Sequence, residues 1–111
     1  MRLPPIAWLI FLAAAVLEVG GDAMVRRGMR GGGIAFIVLG FAMLGTYGVV
    51  VNTIPWDFSR LLGVYVAIFA AVSVLTGRLV FHENIATTTW LGLAIIVLGG
   101  LVIQFGGAVK T

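Results

Sequence analysis

The chain has 111 residues, 61% of them hydrophobic and 10% charged, with a formal net charge of +3. A soluble domain carries about a quarter charged residues, so this composition cannot clothe a water-facing globule and points to a surface that lies in lipid. Cysteine is absent, which excludes disulfides, zinc ribbons and thiol chemistry, and the Lys and Arg residues stand at segment ends rather than in the aromatic-interleaved patch that nucleic-acid binding requires.

A bilayer core of about 30 Å needs about 20 apolar residues in a helix, and four stretches reach that length. The first covers residues 4–25, with Pro4 and Pro5 at its start, where a missing N–H costs little. Arg2 followed by the apolar run Ile6 to Leu17 has the outline of a signal peptide. No small-x-small cleavage site leads into a soluble domain, so the segment is expected to be a retained span. After Arg26-Arg27-Gly28-Met29-Arg30 and the breaker Gly31-Gly32-Gly33, the second span is predicted over residues 34–54. The turn Pro55-Trp56-Asp57-Phe58-Ser59-Arg60 leads to a third over 61–81, and a fourth follows over 88–107. The expected fold is therefore an all-α integral membrane protein, a single domain of four transmembrane helices with short loops. Trp8, Trp56 and Trp90 fall near span ends, as interfacial aromatics do.

Orientation is nearly balanced. One side holds Arg2, Arg60 and Lys110, the other Arg26, Arg27, Arg30 and Arg78. The positive-inside rule then leaves two readings open, a single orientation with the first loop inside, or insertion in both orientations to build an antiparallel dimer.

Glu18 is the leading candidate for function. It lies about 20 Å along the first helix at 1.5 Å per residue, inside hydrocarbon, where an ionisable group costs a few kcal/mol and marks a functional site by default. Hydrocarbon disfavours the carboxylate relative to the neutral acid, so the group is expected to hold either a proton or a cation. A structural acid bonded to a neighbouring helix, or one snorkelling to the interface, is the plain alternative. Asp22 follows at i+4 on the same face, flanked by Ala14 and Gly21. Arg26 is a further i+4 step away, so an Asp22–Arg26 pair is the simplest reading of Asp22, with a second proton or cation site as the other.

In the fourth span Gly92, Gly99 and Gly106 recur every seven residues, with Gly100 and Gly107 beside them. Such a strip lets helix backbones approach closely in lipid and is expected to serve packing, against this chain or a second copy. Tyr65 in the third span is placed either to donate a hydrogen bond to a carboxylate at membrane depth or to anchor at the interface. Tyr47, with Gly45 and Gly48 in the second span, is a weaker candidate. His82 and Glu83 occupy a loop, where a lone histidine is usually solvated, and no metal-ligand constellation is visible. Gly31-Gly32-Gly33 lacks the strand, lysine and spacing of a phosphate loop, and no Ser/His/Asp set converges. No enzymatic activity, metal or cofactor is expected.

The run Leu17-Glu18-Val19-Gly20-Gly21 with Arg26 at the helix end, Ile54-Pro55 before the third span and Gly92 through Gly99 in the fourth resemble the small multidrug resistance family. The resemblance covers essentially the whole chain through its length, span count and the placement of the acid. It implies an antiparallel dual-topology homodimer in the bacterial cytoplasmic (inner) membrane, exporting small cations in exchange for protons. Glu18 would be the shared proton and substrate ligand, and the Gly92/Gly99 strip the dimer contact, with Gly100 and Gly106 alongside. Tyr65 would stand near the family's third-helix aromatic, about two residues further from Pro55 than the pattern expects. Val64-Tyr65-Val66-Ala67 replaces the family's Trp-x-Gly segment, and Asp22 is unusual. Phe81-His82-Glu83-Asn84-Ile85, Trp90-x-Gly92 and Gly99-Gly100 look more like the subunits that flip aminoarabinose-linked undecaprenyl phosphate. That likeness implies a lipid-linked sugar flippase subunit, with a heterodimer with a similar small protein as the alternative assembly. An accessory subunit of a larger membrane complex is the third reading.

Overall fold

The computed structural model describes residues 5–106. Among them the regular structure is entirely helical: α1 (Pro5–Arg27), α2 (Ile34–Val51), α3 (Phe58–Leu79) and α4 (Thr87–Phe105), with a wide helical turn (Gly28–Gly32) after α1. Helices of 18 to 23 residues are about 27 to 35 Å long at 1.5 Å per residue, which matches the hydrocarbon thickness. All four are long and apolar enough to cross a membrane. Helix is the form this composition demands, because a lipid-facing backbone must satisfy its own hydrogen bonds. The few hydroxyls follow the same rule: Thr46 Oγ1 donates to the Ala42 carbonyl at 2.8 Å and Ser73 Oγ to Ala70 at 2.9 Å.

Four apolar helices and short loops are borne out, with shifted ends. α1 runs two residues past the expected boundary, so Arg26 and Arg27 form its last turn instead of a loop. Cations there complement the partial negative charge of the helix C-terminus. The turn then closes with the Gly33 N–H donating to the Gly28 carbonyl at 3.2 Å. Gly31 and Gly33 adopt φ of 104° and 99°, which side chains rarely tolerate. α2 stops at Val51, short of residue 54, because Asn52 Nδ2 and Thr53 Oγ1 donate to the carbonyls of Gly48 and Val50 and Pro55 cannot continue the ladder. α3 begins at Phe58 rather than 61 and ends at Leu79 rather than 81. α4 begins at Thr87 and ends at Phe105; the outer limits expected at Pro4 and Gly107 lie outside the described residues.

The chain divides into two compact units, one holding α1 and α2 (Ile6–Pro55) and the other holding α3 and α4 (from Trp56). Large apolar side chains such as Leu9, Phe41, Val49, Leu79, Ile95 and Phe105 are exposed, while the largest fully buried ones are Phe11, Leu61 and Val51. Exposed apolar area on this scale fits contact with lipid or another membrane chain.

Candidate functional site

In the first unit the two helices approach most closely at glycines. A methyl group on Gly28 would collide with Ile37, one on Gly21 would meet the Leu44 side chain and the Gly40 carbonyl, and one on Gly40 would meet Val25 and the Gly21 carbonyl. The pairs Gly28/Ile37, Val25/Gly40 and Gly21/Leu44 are symmetric about the Gly32–Gly33 link. Along each helix they advance in alternating steps of three and four residues, the spacing of an antiparallel helix seam. The next step along the seam is Glu18 opposite Tyr47. Both residues are partly buried. Glu18 is thus held between two protein helices, the arrangement in which an intramembrane acid is tolerated.

Asp22 has a different environment. It is exposed, and together with Val25, Arg26, Met29, Arg30, Phe41 and Leu44 it lines an open concavity of about 350 Å³. Asp22 and Arg26 therefore face one recess, while Glu18 belongs to the seam.

In the second unit Tyr65 is buried on α3, at 3% exposure, with its ring 6.3 Å from that of Phe69. The α4 glycines expected as one strip divide. Gly100 is buried against Ala67 of α3, where an added Cβ would stand 2.7 Å from the alanine methyl. Gly92 and Gly99 have open space beyond them, and Gly106 faces the carbonyl of Val102 in its own helix. The reason is angular: adjacent residues on a helix point about 100° apart, so Gly100 turns toward α3 while Gly99 turns away.

Tyr47, the weaker candidate of the sequence, lies opposite Glu18 along the seam. Two polar residues with structural partners were not singled out by the sequence as site residues, Arg60 and Gln104: Arg60 Nη2 donates to Gln104 Oε1 at 2.9 Å, and the guanidinium lies 4.2 Å from the centroid of the Trp56 ring. Among the described residues no group of His, Cys, Asp and Glu could hold a metal ion.

Residues 6–109 match the family model described as "Uncharacterised BCR, YnfA/UPF0060 family". The chain is 34% identical over 98 residues to a UPF0060 membrane protein of Synechocystis, covering 87% of this chain and 91% of that one. It is 36% identical over 99 residues to one from Frankia casuarinae, covering 87% and 90%. A Mycobacterium marinum relative is 44% identical over 71 residues, covering 62% and 64%. No solved structure matches the chain.

Proposed function

The chain belongs to the YnfA/UPF0060 family of membrane proteins, and from that premise we propose that it is a proton-coupled antiporter exporting small cationic or amphipathic compounds. One observation carries the proposal: the Glu18 carboxyl is partly buried one step beyond the Gly21/Leu44 contact of the α1–α2 seam, in a helix otherwise fit to cross a bilayer. The relation of the family to the drug/metabolite transporter superfamily supports the same reading.

The chemistry follows from what one carboxyl group can do. Neutral, it holds a proton and tolerates its apolar surroundings. Ionised, it is stable only with a cation beside it. Proton and cationic cargo therefore compete for Glu18, and a cargo binding from one side releases the protons to that same side, so that cargo and protons cross the membrane in opposite directions. Tyr47 contributes a hydroxyl dipole that responds to the charge on the acid. Gly92 and Gly99 leave an open strip on α4, which supports packing of a second copy and hence a homodimer with two copies of Glu18. The named relatives come from bacteria, so the bacterial cytoplasmic membrane is the proposed location, with protons, small-molecule cations and lipid as partners.

Protein reconstituted in liposomes containing a pH-sensitive dye tests the proposal. Adding quaternary ammonium, guanidinium-like or polyamine compounds outside should change the internal pH, and Glu18→Gln should abolish the signal. Full flux in that variant would remove Glu18 from the mechanism; no flux with any of these classes in the parent protein would remove the antiport reading.

A further inference from the structure

Glu18 lies about 20 Å from the Pro5 end of α1 and about 14 Å from the Arg27 end, at 1.5 Å per residue. Hydrocarbon offers a proton no partner, so a carboxyl at that depth exchanges protons only along a polar route. The shorter way out runs toward the turn after α1, and the open recess of about 350 Å³ lies along it. Arg30, in that turn, marks the mouth, and Arg26 and then Asp22 follow inward, one helical turn apart. All three side chains are exposed. Asp22 is the deepest charged group of the lining, about 8 Å from the Arg27 end of the helix. A lipid chain filling this recess would strip water from charged groups, at a cost of about a few kcal/mol for each at span depth. Water needs only polar partners and room for its own sphere, and the recess supplies both.

Glu18 does not line the recess, but the two share a wall. Val25 and Leu44 line the recess and also make the seam contacts with Gly40 and Gly21. Asp22 spans that wall. Side chains at i and i+4 on a helix have Cβ atoms about 5–6 Å apart, and each leans toward the helix N-terminus, which carries the Asp22 carboxylate out of the recess toward Glu18. Groups so spaced pass a proton directly or through one water. The facing helix α2 contains no charged residue, so within this hairpin the charged groups around Asp22 are Glu18, Arg26 and Arg30.

We propose that Asp22 relays protons between water in the recess and Glu18, on the side of the membrane that the α1–α2 turn faces, an inference that rests on the reading of Glu18 as the group that holds the proton. On loading, a hydronium ion in the recess gives one proton to the Asp22 carboxylate and is left as water. The neutral Asp22 then gives that proton to the Glu18 carboxylate and regains its charge. Release runs the same two transfers backwards.

Infrared difference spectroscopy after a rapid drop in pH tests the relay on full-length protein in lipid nanodiscs. The carboxylic acid C=O band that Glu18→Gln removes reports protonation of Glu18. In Asp22→Asn this band should reach its full amplitude but form about a hundredfold more slowly, the low end of what one positioned proton-transfer group contributes. Asp22→Glu, or acetate added to Asp22→Asn as a small diffusible carboxylic acid, should restore the rate. An unchanged rate in Asp22→Asn would overturn the relay, as would a slowing that neither acetate nor Asp22→Glu relieves. If Glu18→Gln removed no band, the relay and the antiport reading would fall together. A band whose rate Asp22 governs, in a protein without cation-driven flux, would uphold the relay and overturn antiport alone.

Discussion

Gly40→Ala isolates the seam that holds Glu18. A Cβ at position 40 would lie 2.7 Å from the Gly21 carbonyl oxygen and 2.9 Å from the Val25 amide nitrogen, where ordinary contact begins at 3.4 Å. Both are backbone atoms of a helix and cannot swing aside, so α1 and α2 must part by about 0.7 Å there. Overpacking of this kind costs about 1–3 kcal/mol. Against it, alanine is about 1 kcal/mol better than glycine in a helix interior, which leaves a net cost of about 0–2 kcal/mol. Gly45 and Gly48 on the same helix have nothing within 4 Å, so alanine there keeps the gain without the clash. Gly40→Ala and Gly45→Ala should therefore differ by about 2 kcal/mol, roughly a thirtyfold change in the folding equilibrium. Unfolding in mixed micelles of dodecyl maltoside and sodium dodecyl sulfate, followed by far-ultraviolet circular dichroism, measures the difference. Equal midpoints for the two variants would refute the close-approach argument, and with it the seam that places Glu18 opposite Tyr47.

Tyr47→Phe removes the hydroxyl that the seam register places opposite Glu18 and should slow cation-driven proton flux about two- to tenfold, the worth of one neutral hydrogen-bonding group; unchanged flux would exclude Tyr47 from the site. Gly92→Leu with Gly99→Leu should reduce dimer formation in a bilayer energy-transfer assay without lowering the stability of the single chain, since both positions open onto free space and leucine is a better helix former than glycine. Gly100→Leu should instead lower stability by about 1–3 kcal/mol, because Ala67 already fills that space. His82 has a φ of 56°, a conformation costly for a side-chain-bearing residue, so His82→Gly should stabilise the chain by about 0.5–1 kcal/mol in the same unfolding assay.

The number and positions of the helices were legible because lipid imposes one rule on every residue of a span, and apolar length reads directly as crossing length. Their ends were not, because each is decided by one or two local bonds. Asn52 and Thr53 turn back onto carbonyls of α2 and stop it early, and Arg26 and Arg27 extend α1 because its C-terminus favours cations. Hydropathy averages over a window and carries neither effect.

The site was legible on one helix at a time. Glu18 stood out because an acid in a span is expensive wherever it points. Tyr47 stood only as a weaker candidate, since a tyrosine in an apolar helix gains meaning once the register of the hairpin is known. The register was nonetheless written in the chain, in the alternating steps from Glu18 through Gly21 and Val25 to Gly28, mirrored from Ile37 through Gly40 and Leu44 to Tyr47. Arg60 escaped for the opposite reason: assigned to a loop, it read as one more interfacial charge. Moving the start of α3 back to Phe58 places it in the first helical turn, where it bonds Gln104 at 2.9 Å. A polar side chain in a span carries meaning only through its partner across a helix pair. Pairing is a property of two segments at once, and reading each span alone leaves it out.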